Sequence, residues 1–244
     1  MLRLERVALG WILTGWNIHL LHQYARDTAA MLDTPASYAR GNDPGRNPVL
    51  DNFCTTPVLG YRSYAAFAAD IAAGAIGPWF KAVLYDNEKW PDTPVAEQED
   101  PWTYMPMFGQ LAHANGLLFI ATPARDLGNV ATSRYPKRPG EILDQWYVRT
   151  NIAGAAAQAA DIAQVQTQVN TASVAAFAGL AGSARRQALA ANPDVKVYGG
   201  LSTNYGTPDQ MAAAARSADV DGFYLTVTSS AIPQLAAFLR HLGS

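Results

Sequence analysis

The sequence predicts an α/β fold: a single parallel (β/α) barrel, TIM-like, with an N-terminal helical extension. Three observations point to it. Alanine-rich runs (Ala65 to Ala73, Ala153 to Ala160, Ala175 to Ala191, Ala212 to Ala218) read as helices, because alanine loses no side-chain freedom on entering one. Between them lie short segments rich in β-branched and aromatic residues, and this alternation calls for parallel strands joined by crossover helices. No glycine-rich phosphate fingerprint follows any strand. Gly199-Gly200-Leu201-Ser202 lacks the spacing, so a closed barrel is preferred to an open, doubly wound sheet.

Taken in order, Val7–Thr14 reads as a first strand, followed by a helix from Asn17 to about Leu32. The turn-rich run Asn42-Asp43-Pro44-Gly45-Arg46-Asn47-Pro48 then separates an N-terminal arm, residues 1–50, from the core. Further strands are expected at Thr56–Tyr64, Lys81–Glu88, Leu117–Thr122, Asp161–Thr167, Val195–Thr203 and Gly222–Thr228. With only six or seven strands visible, a complete barrel and an incomplete or distorted one both stay open. Pro123 to Gly140 holds three prolines and little periodicity, and a loop of that length is often a lid or binding loop. At 244 residues, with no dividing linker, the chain reads as one domain.

Composition narrows the function. A net charge of −2 gives no basic field for a nucleic-acid backbone, and no apolar run of spanning length predicts membrane insertion. One cysteine, Cys54, excludes an internal disulfide and a cysteine-based zinc site, and reads as a structural thiol. The four histidines are scattered: His19 and His22 share a helix face without a third ligand, and His113 sits where a helix C-terminus would favour it. The expectation is therefore no metal and no cofactor. Arg3 and Arg6 precede an apolar Val7–Leu13 run, but no small-residue cleavage site follows. The expected location is the cytoplasm, with secretion as the alternative. The expected partners are a small-molecule substrate and, through the N-terminal segment, a second copy of the chain.

Side chains alternate along a strand, and the helix-facing parity of a barrel must be apolar, so the polar parity points inward. Asp86, Glu88, Gln166, Ser202, Asn204 and Thr228 fall at or beyond strand C-termini on that parity, where barrel enzymes keep their sites. Tyr85-Asp86-Asn87-Glu88 ends an apolar strand with two carboxylates on the same side. A like charge raises the pKa of its neighbour, which suits a general acid, and glycoside hydrolysis uses such pairs or one acid beside a carboxylate that orients the substrate's own amide. Arg125-Asp126 follows another strand and can bind substrate or pair internally. Trp79, Trp90, Trp102, Tyr104 and Trp146 can stack on sugars or pack between helices.

The run Tyr85-Asp86-Asn87-Glu88-Lys89-Trp90, Thr93-Pro94, Glu97-Gln98 and Asp100-Pro101 is preceded by Val58-Leu59-Gly60-Tyr61-Arg62-Ser63-Tyr64. Ala112-His113-Ala114-Asn115-Gly116, Ala191-Asn192-Pro193 and Gly200-Leu201-Ser202-Thr203 follow it. Together they resemble a group of bacterial proteins, frequent in actinobacteria, that are (β/α) barrels related to glycoside hydrolases. The run marks the group rather than one reaction. The last strand of the group usually ends in a Trp-Leu-Asn-like run, where this chain has Tyr224-Leu225-Thr226.

The leading expectation is a metal-free barrel enzyme acting on a carbohydrate-like substrate, with Glu88 as proton donor and Asp86 orienting and tuning it. Gln166, Asn204 and Tyr224 would bind hydroxyls. Tyr61, Tyr64, Trp90, Arg125, Gln164 and Ser202 complete the expected substrate site. Two alternatives stay open: a lyase, isomerase or cyclase that protonates an apolar metabolite among aromatic faces, and a non-catalytic ligand-binding barrel.

Overall fold

The computed structural model describes residues 9–42, 48, 50–130 and 133–243. The chain alternates as expected: β1 (Gly10–Thr14), α1 (Gly15–Tyr24), α2 (Arg26–Leu32), β2 (Ser37–Gly41), β3 (Thr56–Tyr61), α3 (Tyr64–Ala73), β4 (Ala82–Tyr85), α4 (Val95–Glu99), α5 (Pro101–Ala114) and β5 (Leu118–Ala121). It continues with α6 (Leu143–Arg149), α7 (Ile152–Ala157), β6 (Ile162–Val165), α8 (Val174–Ala191), β7 (Lys196–Ser202), α9 (Pro208–Ser217), β8 (Gly222–Thr226) and α10 (Ile232–Gly243). The eight strands are all parallel and close on themselves, β1 pairing with β8.

The barrel is therefore complete, and the sequence reading is corrected at its N-terminal end. β2 was not anticipated: Ser-Tyr-Ala-Arg-Gly carries no β-branched residue. It is a strand because Tyr38 fills the barrel interior and Ala39 the layer beneath the helices. The stretch expected as an N-terminal arm is helical over α1 and α2 but lies between β1 and β2, so it is the first unit of the barrel wall, packed on α10. The expected long helix is two, broken at Ala25, whose backbone is extended (φ −154°, ψ 84°). Val7 and Ala8 of the expected first strand, and most of the turn-rich run after Asn42, lie outside the described residues.

Alternation assigns each strand residue to a layer. Outward residues such as Leu59, Val83 and Phe119 pack under α3, α5 and α7, and Trp11, Leu13 and Phe223 pack under α1, α9 and α10. Inward, Ile12, Tyr38, Val58, Ala82, Leu84, Ile120, Ile162 and Tyr198 fill the N-terminal half of the barrel. Tyr198 fits because β1 and β8 each begin with glycine. A Cβ on Gly10 would sit 1.6 Å from the Tyr198 hydroxyl, and one on Gly222 2.7 Å from its Cζ. Two more inward glycines make room nearer the C-terminal end. A Cβ on Gly60 would come within 2.6 Å of Arg40 Nε, and one on Gly200 within 2.8 Å of Gln164 Nε2. Polar side chains thus turn across the barrel where it would otherwise be plugged. No helix among the described residues is long and apolar enough to cross a membrane.

Candidate active site

At the C-terminal end of the strands lies a cavity of about 600 Å³. Asp86, Glu88, Trp90, Arg125, Gln164, Gln166, Asn204 and Tyr224 all line it, so most of the expected site residues meet in one place. They come from the ends of β4, β6, β7 and β8 and from the segments that follow β4 and β5.

Local geometry explains the carboxylate pair. The backbone beyond β4 stays extended, and Asp86 N donates to Tyr61 O at 2.8 Å, continuing the bonding to β3. Asn87 turns into the wall, fully buried, while Asp86 and Glu88 face the cavity. Asp86 Oδ2 accepts from Arg40 Nη2 at 3.3 Å and its Oδ1 from Thr122 Oγ1 at 3.1 Å. Arg40 Nη1 also donates to the Tyr224 hydroxyl at 2.6 Å, so one guanidinium ties β2 to β4 and β8. Glu88 Oε1 accepts from Gln166 Nε2 at 2.5 Å.

These surroundings act differently on the two carboxylates. Burial raises the Glu88 pKa, and the like charge of Asp86 raises it further, up to about 8, with Asp126 adding to the effect and the Gln166 donor opposing it. Asp86 is held instead by an arginine and a hydroxyl donor. Burial likewise raises Asp126 and the Tyr224 phenol. Burial works against the Arg40 charge, but Tyr224 and Asp86 outweigh it and keep the guanidinium protonated. The site thus sets Glu88, whose proton affinity burial and a neighbouring carboxylate raise, beside the arginine-bound Asp86, an arrangement able to deliver a proton to an oxygen brought between them.

Three expected site residues lie elsewhere. Tyr61 shares the outward parity of β3 with Leu59. Its ring packs on Phe67 and Phe108, and its hydroxyl donates to Asp70 on α3 at 2.9 Å. Tyr64 opens α3 and packs against Tyr104 and Phe108. Ser202 has the expected inward parity but is fully buried, its Oγ accepting from Asn204 N at 3.1 Å, so it stabilises the turn after β7. Of the remaining tryptophans, Trp102 and Trp146 are buried among the helices and Trp79 packs against that layer. Cys54 is exposed and lies outside the cavity lining.

The sequence reading missed Arg40, Asn42, Arg62 and Thr122 in the lining and gave Asp126 no firm role there. The alternation Tyr38, Arg40, Asn42 was the available signal for the first two. Arg62 lies over the Trp90 ring, 4.6 Å from its centroid, and pairs with Asp92 at 2.9 Å. The long segment after β5 contributes Arg125 and Asp126, with Arg125 held by Asp144 of α6. Among the described residues no group of histidine, cysteine or acidic side chains could hold a metal. His19 bonds Gln23, and His113 pairs with Asp161 at 2.9 Å.

No protein-family model matches the chain, and no curated protein sequence matches it. Solved structures do resemble it. A chitinase from Chromobacterium violaceum superposes with a TM-score of 0.55 at 14% identity, over 97% of this chain and 98% of that one. A class V chitinase from Pseudomonas fluorescens gives 0.51 at 13% identity, over 97% and 99%. A chain of the BexX/CysO complex from Amycolatopsis orientalis gives 0.54 at 11% identity, over 96% and 88%. Likeness at such identities is a likeness of fold, and it places this chain among the (β/α) barrels.

Proposed function

We propose that the protein is a glycosidase-like hydrolase that cleaves a glycosidic bond, with Glu88 as general acid and Asp86 as its charged partner. The observation that carries this reading is the pair itself: a half-buried carboxyl whose pKa burial and a like charge raise, beside an arginine-bound carboxylate, in the open mouth of the barrel. Protonated Glu88 gives its proton to the leaving glycosidic oxygen as the anomeric C–O bond breaks. Asp86 stabilises the positive charge that develops on the sugar, or orients a substrate acetamide that attacks the anomeric carbon. Water then adds at that carbon, and its proton returns to Glu88. Gln166, Asn204 and Tyr224 are placed to bind hydroxyls. The fold likeness to two chitinases supports a sugar substrate, and so does a lining of arginines, carboxylates and glutamines, which offers little to an apolar metabolite. The resemblance around Tyr85–Trp90 to glycosidase-related bacterial barrels agrees.

The test is a panel of nitrophenyl glycosides and chitooligosaccharides. The wild-type protein is expected to release product from at least one, and Glu88→Gln to fold normally and lose about 10²–10⁴-fold in kcat, the usual contribution of a positioned acid. Turnover by Glu88→Gln equal to wild type, or no hydrolysis of any glycoside in the panel, overturns the reading.

A further inference from the structure

The residues that carry the family resemblance include a set that the proposed chemistry does not use: Tyr85, Asn87, Thr93, Glu97 and Gln98. The structure gathers them behind β4, on the side away from the cavity. Asn87 Nδ2 donates to the Tyr85 hydroxyl at 3.1 Å and to Glu97 O at 2.9 Å. The Tyr85 hydroxyl donates in turn to Glu97 Oε2 at 2.6 Å. The same carboxylate accepts from Ser63 Oγ at 3.0 Å and from the Tyr64 and Ala65 amides at 2.6 and 3.1 Å. Those amides open α3, where the helix end carries partial positive charge.

Glu97 is only 2% exposed. A carboxylate so far from water is costly unless its oxygens are fully bonded, and four donors meet that need. The loop is held at a second point: Gln98 Nε2 donates to Trp90 O at 2.9 Å and Thr93 O at 2.7 Å. Thr93 Oγ1 closes the set on Arg62 O at 2.9 Å. The segment from Asp86 to Trp90 is thus pinned to α4 near both of its ends. Asn87 is the pin between the two cavity-facing carboxylates.

We infer that Asn87 and Glu97 are positioning residues: Glu97 anchors Asn87, and Asn87 holds Asp86 and Glu88 side by side and away from bulk water. This rests on the acid role proposed for Glu88. A network that only stabilised the fold would leave the proton affinity of Glu88 unchanged when weakened, whereas a network that positions the pair would not. Loosening the segment separates Glu88 from Asp86 and admits water, and both changes favour the ionised form.

The experiment follows the Glu88 carboxyl by carbon NMR across a pH series in the full chain, assigned by the signal lost in Glu88→Gln. Wild type is compared with Tyr85→Phe and Asn87→Ala, and kcat and KM are measured on any glycoside that is turned over. The expected wild-type midpoint is about 8. Both variants should move it down by at least about one unit. Their kcat should fall about 10–100-fold with KM within about threefold, since a small misplacement acts on the chemical step. Tyr85→Phe removes one hydroxyl and keeps the ring, so it decides the matter if Asn87→Ala does not fold. Variant midpoints equal to a wild-type value near 8 overturn the positioning role and leave the acid role standing. A wild-type midpoint near 4.5 overturns the acid role, and the inference with it.

Discussion

Along β2, inward-facing Tyr38 is followed two residues later by Arg40; along β4, Leu84 by Asp86; along β6, Ile162 by Gln164. The lower residues of these pairs belong to a closed apolar plug, and the upper ones line a cavity. One strand parity thus serves two regions with opposite physics. In the lower region dispersion and dehydration hold the barrel shut, and any void is felt directly. In the upper region the half-buried polar groups are tolerated because they bond one another: Arg40 to Asp86 and Tyr224, Glu88 to Gln166. Cohesion therefore resides in one layer of the barrel and chemistry in the next, a single strand step away.

The largest expected effect that separates the regions is a cavity in the lower one. Leu84 is fully buried, so Leu84→Ala should destabilise the fold by about 2–5 kcal/mol, measured by urea unfolding. A loss within about 0.5 kcal/mol, the range of an ordinary surface substitution, would erase the distinction.

A smaller effect comes from protonation in the upper region. The folded Glu88 holds its proton up to about pH 8, whereas its ordinary value is 4.5. Between those values the folded state binds more protons than the unfolded one, so stability should decline as pH rises through this window and level off above it. Glu88→Gln should flatten that part of the profile, and hydrolysis by the wild type should fail on the alkaline side near pH 8. Unfolding curves for both proteins that stay parallel from pH 4.5 to 8 would contradict the raised value. The smallest effect lies outside both regions: Cys54→Ser should leave turnover within about threefold and stability within about 0.5 kcal/mol, because the thiol is exposed and lines neither layer. A loss of several orders of magnitude would assign Cys54 a part in the chemistry.

The comparison also explains what the sequence disclosed. Strands β3 to β8 were legible because their apolar, β-branched cores stand between alanine-rich helices. β2 was not, since Ser37–Gly41 lacks such residues and runs into the turn-rich segment after Asn42. Arg40, which ties Asp86 to Tyr224, was lost with its strand. Asp86, Glu88, Gln166 and Tyr224 were found through parity, which a barrel enforces strictly. Tyr61 and Tyr64 were misplaced: parity puts Tyr61 beside Leu59 on the helix side, and Tyr64, expected at the end of the strand, opens α3 instead. Ser202 obeyed parity but went to a local turn, a use that alternation alone does not reveal.

The seam between β1 and β8 brings together distant parts of the chain, and the bond from Asn17 Nδ2 to Val227 O beside it spans 210 residues. Tyr198, from β7, occupies the notch left by Gly10 and Gly222 at that seam. On a ribosome, β1 therefore waits until β8 has been made before its free edge finds a partner. A nascent chain that stalls before Gly222 carries an open, apolar strand edge of the kind that pairs with other chains. The interval in which this barrel is most exposed to aggregation is thus set by its topology, and it lasts until β8 has been made.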